Sequence, residues 1–186
     1  RIDRKYRDAY VLKGTNYRLM GRMEEAKSSY ETAVSLDPEY FIGYFFLANI
    51  YESEGNYQQS VQYFQNALEL KPKPAEMSSE ILYRLAAAQK MLADEKQDLD
   101  ELERAKKYYR SLSNDTIDFY ANRGYFHLAH IHQFIHEDID SAVYYYNKAL
   151  QEEPRHVESW HNLGMCYDYA GNKTKALQSF AKALNY

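Results

Sequence analysis

Cysteine is almost absent from this chain. Cys166 is the single thiol among 186 residues, so no internal disulfide can form. That favours a reducing compartment, and the chain is expected to work inside the cell, in the cytoplasm. Proline and glycine are scarce, with 4 and 7 residues. All four prolines and three of the seven glycines fall at regular punctuation points, which leaves no flexible linker. Charge of one sign is also lacking: the net charge is −4, with both signs interspersed. A broad basic surface for phosphate backbones is therefore missing, and nucleic acid is not an expected partner. No apolar run approaches the roughly 20 residues of a membrane span, so insertion is not expected. Gly-rich phosphate loops, a GxSxG elbow, an HExxH pair and paired cysteines are all missing from the sequence. Without them no catalytic residue, cofactor or metal is expected. What is abundant is aromatic: 20 Tyr, 8 Phe and 1 Trp, more than a disordered chain would carry.

The aromatics recur with a period of 34 residues. The clearest copy is Trp160-x-x-Leu163-Gly164-x-x-Tyr167, then Gly171, Ala176, Phe180 and Ala183. The same slots read Tyr10, Lys13, Gly14, Tyr17, Gly21, Ala26, Tyr30, Ala33 and Pro38 near the start. One period later they read Tyr44, Leu47, Ala48, Tyr51, Gly55, Ser60, Phe64, Ala67 and Pro72. Numbering each repeat from its first residue, positions 4, 7, 8 and 11 share one face of a first helix A. Positions 20, 24 and 27 share one face of a second helix B. Small residues at 8 and 20 let the helices approach, and large ones at 4, 11 and 24 fill the space around them. Gly at 15 suits a helix C-terminus. Pro at 32 stops helix B.

This pattern resembles the tetratricopeptide repeat (TPR), a helix–turn–helix unit of that length. The resemblance implies an all-α fold, a right-handed superhelical solenoid of antiparallel helix pairs. The whole of 1–186 reads as one array: 1–6 as the tail of a preceding repeat, then repeats at 7–40, 41–74, 75–119, 120–156 and a truncated one at 157–186. Three repeats match closely. In the fourth, Tyr125, Leu128, Ala129 and His132 lie on helix A and Ala142, Tyr146 and Ala149 on helix B, with one extra residue in the turn. The third departs most. Ala86 and Ala105 are nineteen apart where the pattern has twelve, an excess of about two helical turns. The stretch 93–104 holds no Pro or Gly. It predicts lengthened helices that project beyond their neighbours, not a loop. No polar capping helix follows the fifth repeat. Terminal repeats need such a cover, so the chain reads as a segment of a longer array or one whose ends pack on something else.

In the TPR family the A helices line the concave face of the superhelix, and positions 2, 5, 9 and 12 point into the groove. The resemblance carries over here to Val11, Thr15 and Arg18, then Ile42, Phe45, Asn49 and Glu52, then Tyr83 and Lys90. It continues with Arg123, Phe126, His130 and Gln133, and with His161, Met165 and Asp168. The aromatic run Phe45, Tyr83, Phe126 suits a groove for an extended or helical peptide. The alternative is that these rings are covered by the next repeat. Chaperone-tail binders of the family share a carboxylate clamp of Lys, Asn and Arg. Here the clamp slots hold Val11, Thr15, Phe46 and Glu80, and only Arg84 fits. An Asn ladder at position 6, seen in the O-GlcNAc transferase array, is reduced to Asn162. An amphipathic segment is therefore favoured over a chaperone C-terminal tail.

Four of the six histidines cluster as His127, His130, His132 and His136. His132 sits in the core slot at position 11, so packing is the simpler reading than metal ligation. The acidic stretch Asp94, Glu95, Asp98, Asp100, Glu101 and Glu103 reads either as a solvated helix face or as a lateral contact to a basic partner. The expected function is that of a non-catalytic scaffold that binds a peptide or helical segment of a partner protein and helps assemble a complex. Two alternatives stay open. One is a structural subunit that uses its ends and the third-repeat projection, with self-association through the terminal repeats. The other is the targeting array of an enzyme, such as a glycosyltransferase, lying outside this segment.

Overall fold

The structure is a computed structural model that describes residues 4–186, with side chains from Tyr6 onward. The reading of residues 1–3 as the end of a preceding repeat lies outside the described residues. Among the described residues ten helices follow in chain order: α1 (Arg4–Leu19), α2 (Met23–Leu36), α3 (Phe41–Ser53), α4 (Tyr57–Glu69), α5 (Ala75–Lys96), α6 (Leu99–Leu112), α7 (Asp118–Phe134), α8 (Ile139–Glu152), α9 (Val157–Tyr169) and α10 (Lys173–Leu184). The fold is all-α, and no strand occurs among the described residues. Two compact units divide the chain, one ending at Ala105 and one running from Lys106 to Tyr186.

In the first unit each helix packs on the next, from α1 through α5. Its core holds Val11, Ala26, Tyr30, Ala33, Leu47 and Ile50, with Tyr10, Tyr17 and Phe46 packed against it. Tyr30 and Phe64 are wholly buried. A side chain of that size contributes roughly 1.5–3 kcal/mol when taken out of water. In the second unit α7 packs on α8, α8 on α9, and α9 on α10. Its core holds Ala129, Ala142, Tyr146, Leu150, Leu163 and Cys166. Smallness at position 8 has a measurable cause: a Cβ added at Gly164 would stand 2.6 Å from a carbon of the Phe180 ring.

The turns within pairs follow from the same chemistry. Gly21, Gly55 and Gly171 end α1, α3 and α9 with φ of 74–77°, a conformation L side chains rarely adopt. Asn56, Asp138 and Asn172 then cap α4, α8 and α10, each accepting a backbone N–H three residues on.

The stretch 93–104 is helical apart from a two-residue turn. α5 runs for 22 residues, against 13 in α3. Gln97 makes the turn in the left-handed region at φ 52°, and Asp98 accepts the Asp100 N–H at 2.8 Å. Leu92, Ala93 and Leu102 bury an apolar seam along the extension. Gln89 Nε2 donates to Glu101 across it at 2.7 Å. Only α5 lengthens, because the apolar spacing continues through the excess residues; α6 has 14 residues, as α2 and α8 do, so one helix of the pair and not both takes up the excess.

Candidate functional site

The candidate face is built from the first helices of the pairs, and each unit presents its own part. In the first unit, Val11 is a correction: it is only 8 % exposed and belongs to the core. α1 turns this position toward Tyr30 instead of outward. Thr15 is half-buried, its hydroxyl donating to the Val11 carbonyl at 2.9 Å and lying 3.2 Å from the Tyr30 hydroxyl. Ile42 leans on the same core. Arg18 is exposed, and Phe45, Asn49, Glu52, Tyr83 and Lys90 are half-buried. Lys90 is tied to Asp94 on its own helix.

Arg18, Phe45, Asn49 and Glu52 converge on an open pocket of about 460 Å³. Met23, Phe46, Ile50, Ser53 and Arg84 complete its lining. The floor is aromatic. Phe45 stands edge-on to Phe46 at 5.6 Å between ring centres and 6.1 Å from Phe64, and Phe46 stacks on Tyr30 at 5.0 Å. Asn49 Nδ2 donates to the Phe45 carbonyl at 2.8 Å and so holds the side chain against its helix. At the rim Arg84 bridges Glu80 at 2.6 Å and Glu52 at 3.5 Å. Burial raises the Glu52 carboxyl above its ordinary value, and Arg84 partly opposes this. Arg84 is therefore committed within the rim. Met23, Phe46 and Arg84 lay outside the expected groove set. Met23 begins a second helix, and nothing in the repeat pattern points it at this face.

The second unit arranges the same slots differently. Gln133 is a correction: it is 9 % exposed and accepts the Tyr146 hydroxyl at 2.7 Å. A buried phenol needs an acceptor, and Gln133 supplies it. His161, Met165 and Asp168 are exposed; Arg123, Phe126 and His130 are half-buried. Phe126 is ringed by His127, His130, Tyr146 and His156 at 5.0–6.4 Å between ring centres. His156 caps α9 by accepting the Ser159 N–H at Nδ1, while Arg123 Nη1 approaches its Nε2 at 3.1 Å. Burial first, and the Arg123 charge second, hold His156 below its ordinary pKa. His132 is likewise lowered, by burial and then by Lys106. No group of three metal-ligating side chains occurs among the described residues. Burial pushes the Cys166 thiol up to about 11, which leaves it protonated and unreactive.

Three stretches of the chain match family models, each described as a tetratricopeptide repeat: residues 8–40, 42–74 and 145–178. The chain belongs to the tetratricopeptide repeat family. Its TPR helix pairs resemble those of a BBSome complex member BBS4 homolog from Drosophila melanogaster, 24 % identical over 163 residues. That match covers 88 % of this chain and 31 % of the relative, so the chain spans about a third of that relative's length. Human tetratricopeptide repeat protein 6 matches at 33 % identity over 61 residues, 33 % of this chain and 12 % of the relative. Among solved structures, a MamA protein superposes with a TM-score of 0.71 at 20 % identity, covering 97 % of this chain and 91 % of that one. PilF of Pseudomonas aeruginosa gives 0.73 at 18 % identity, with 97 % and 76 % covered. YrrB, a TPR protein with an unusual peptide-binding site, gives 0.62 at 22 % identity, with 95 % and 84 % covered. At such identities the likeness is one of fold. No helix among the described residues is long and apolar enough to cross a membrane.

Proposed function

We propose that this TPR chain is a non-catalytic scaffold that takes a short protein segment on the first-helix face of its first unit, with the Phe45 pocket as the anchor point. One observation carries the reading: a pocket of about 460 Å³ with a floor of Phe45 and Phe46 and with one exposed cation at its rim, Arg18, which pairs with no acid among the described residues. A cavity of that size lies in the range of pockets for drug-sized ligands and has room for more than one apolar side chain. Its walls are helices already ordered, so binding spends little entropy on the receptor. An amphipathic segment matches this chemistry, with its apolar face on the rings and a polar edge at Arg18. The chaperone-tail mode is disfavoured because Arg84 is held by Glu52 and Glu80. YrrB, a TPR protein with an unusual peptide-binding site, puts the same fold to peptide binding.

The test is affinity capture from native lysate with the parent chain and a Phe45→Glu variant confirmed as folded by circular dichroism. A partner held by the parent and lost by the variant supports the pocket. Equal capture by both contradicts it.

A second reading has one specific support. A relative that aligns over 88 % of this chain is by name a BBSome complex member. A structural subunit would join its partners through a larger surface, and single substitutions in the pocket would then leave association intact.

A further inference from the structure

A second concavity lies in the second unit, on a face formed by α8, α9 and α10. It encloses about 430 Å³, and Asn147, Trp160, Tyr167, Lys175, Gln178 and Lys182 are among its lining residues. Two features set it apart from the Phe45 pocket. Its charged lining is wholly cationic: Lys175 and Lys182, with no carboxylate among the lining residues. Each ammonium is also pre-placed over a ring. Lys182 Nζ lies 4.1 Å from the Trp160 ring centre and Lys175 Nζ 5.2 Å from that of Tyr167. The Trp160 ring is itself pinned by its N–H, which donates to the Pro154 carbonyl at 2.9 Å. Elsewhere cations pair with acids, as Lys27 does with Glu24 and Glu54, and Arg104 with Glu101. Lys175 and Lys182 have rings in place of acids, as Lys13 and Lys148 do, but they alone share one concavity.

We propose that this concavity is a docking site for an acidic linear segment of a partner protein, gripped by Lys175 and Lys182. Seven residues separate the lysines along α10, a rise of about 10 Å at 1.5 Å per residue. A chain in the polyproline II conformation covers that distance in about three residues at 3.1 Å each, and its three-fold turn brings every third side chain to the same face. The matching segment therefore carries acidic side chains at every third position, one carboxylate per ammonium. Asn147 and Gln178 offer amide groups to the peptide backbone running between them. A single strand of nucleic acid suits the site less well, because bases need open ring faces for stacking and both faces in question already carry an ammonium. This site shares no residue with the Phe45 pocket, and its occupancy does not depend on that pocket's role.

The chain's one tryptophan is in this site, so its fluorescence reports on the site directly. The experiment titrates the chain with an unlabelled 12-residue peptide carrying Glu at every third position among Gly and Ser. Parallel titrations use the same peptide with Gln for Glu and an oligothymidine of 12 nucleotides. The expected result is a saturable change with the Glu peptide that weakens at least about tenfold with the Gln peptide. Raising salt should weaken it as well. A Lys175→Gln/Lys182→Gln variant, folded by circular dichroism, should lose the response, and a Phe45→Glu variant should keep it. Equal responses to the Glu and Gln peptides would overturn the proposal. So would a saturable response to oligothymidine alone, no saturable response to any probe, or an undiminished response in the double lysine variant.

Discussion

Phe45 and Phe126 stand in the same slot of two repeats and are both half-buried, yet they face different surroundings. Phe45 leans on two other phenylalanines and borders an open pocket. Phe126 is enclosed by three imidazoles and a tyrosine. One cause lies in the helix that follows. α5 starts after Pro74, which makes no side-chain cap, whereas α9 is capped by His156, whose ring stands edge-on to Phe126 at 5.0 Å. Repeat position decides where a ring is placed, and the cap of the next repeat decides whether that ring is available. The first unit leaves its ring bordering an open pocket; the second uses its ring for packing.

The sharpest way to break this comparison is to charge both rings in turn. Phe45→Glu is expected to weaken partner binding at least about tenfold while the unfolding midpoint moves little, because the new carboxylate can reach water. Phe126→Glu is expected to do the reverse, costing roughly 2–4 kcal/mol of stability by setting a carboxylate against Tyr146. Urea unfolding and partner binding of the two variants check both halves. A smaller effect comes from Tyr146→Phe, which leaves the buried Gln133 carbonyl without its donor and should cost about 1 kcal/mol in the same assay. Asn56→Ala and Asn172→Ala each remove a helix cap and should cost about 1 kcal/mol, one in each unit, with no effect on the Phe45 pocket.

Acidity separates the units as well. All six histidines lie in the second unit. His132 and His156 are held below their ordinary pKa by burial. A depressed folded value means the unfolded chain takes up the proton first. The stability these groups contribute is complete above the unfolded value of about 6.5 and falls away as pH drops below it toward the folded values. Between pH 7.5 and 5.5, hydrogen exchange corrected for its intrinsic rate should therefore accelerate in α7–α9 and change less in α1–α4. His156→Asn keeps a cap acceptor that does not titrate, and it should remove part of that difference.

Much of the fold was legible because the 34-residue pattern states its own packing reasons. The turn glycines, the small residues at position 8 and the lengthening within the third pair all follow from spacing and from which residues tolerate positive φ. The site was legible only in part. Val11 and Gln133 carry groove positions, but one is drawn into the Tyr30 core and the other toward the Tyr146 hydroxyl. Their direction depends on what the facing helix needs, and periodicity along one helix does not contain that. His156 covering Phe126 was hidden for a related reason: it rests on the orientation of a cap thirty residues away. Gln97 left no trace either, since glutamine carries no preference for the left-handed turn it occupies.

The most direct test is a binding titration of the partner segment recovered with the parent chain against three proteins: the parent, Phe45→Glu and Phe126→Glu. The account predicts at least about tenfold weaker binding for Phe45→Glu and, at a temperature where it stays folded, a change within about twofold for Phe126→Glu. Equal losses in both variants, or no loss in the first, would contradict it.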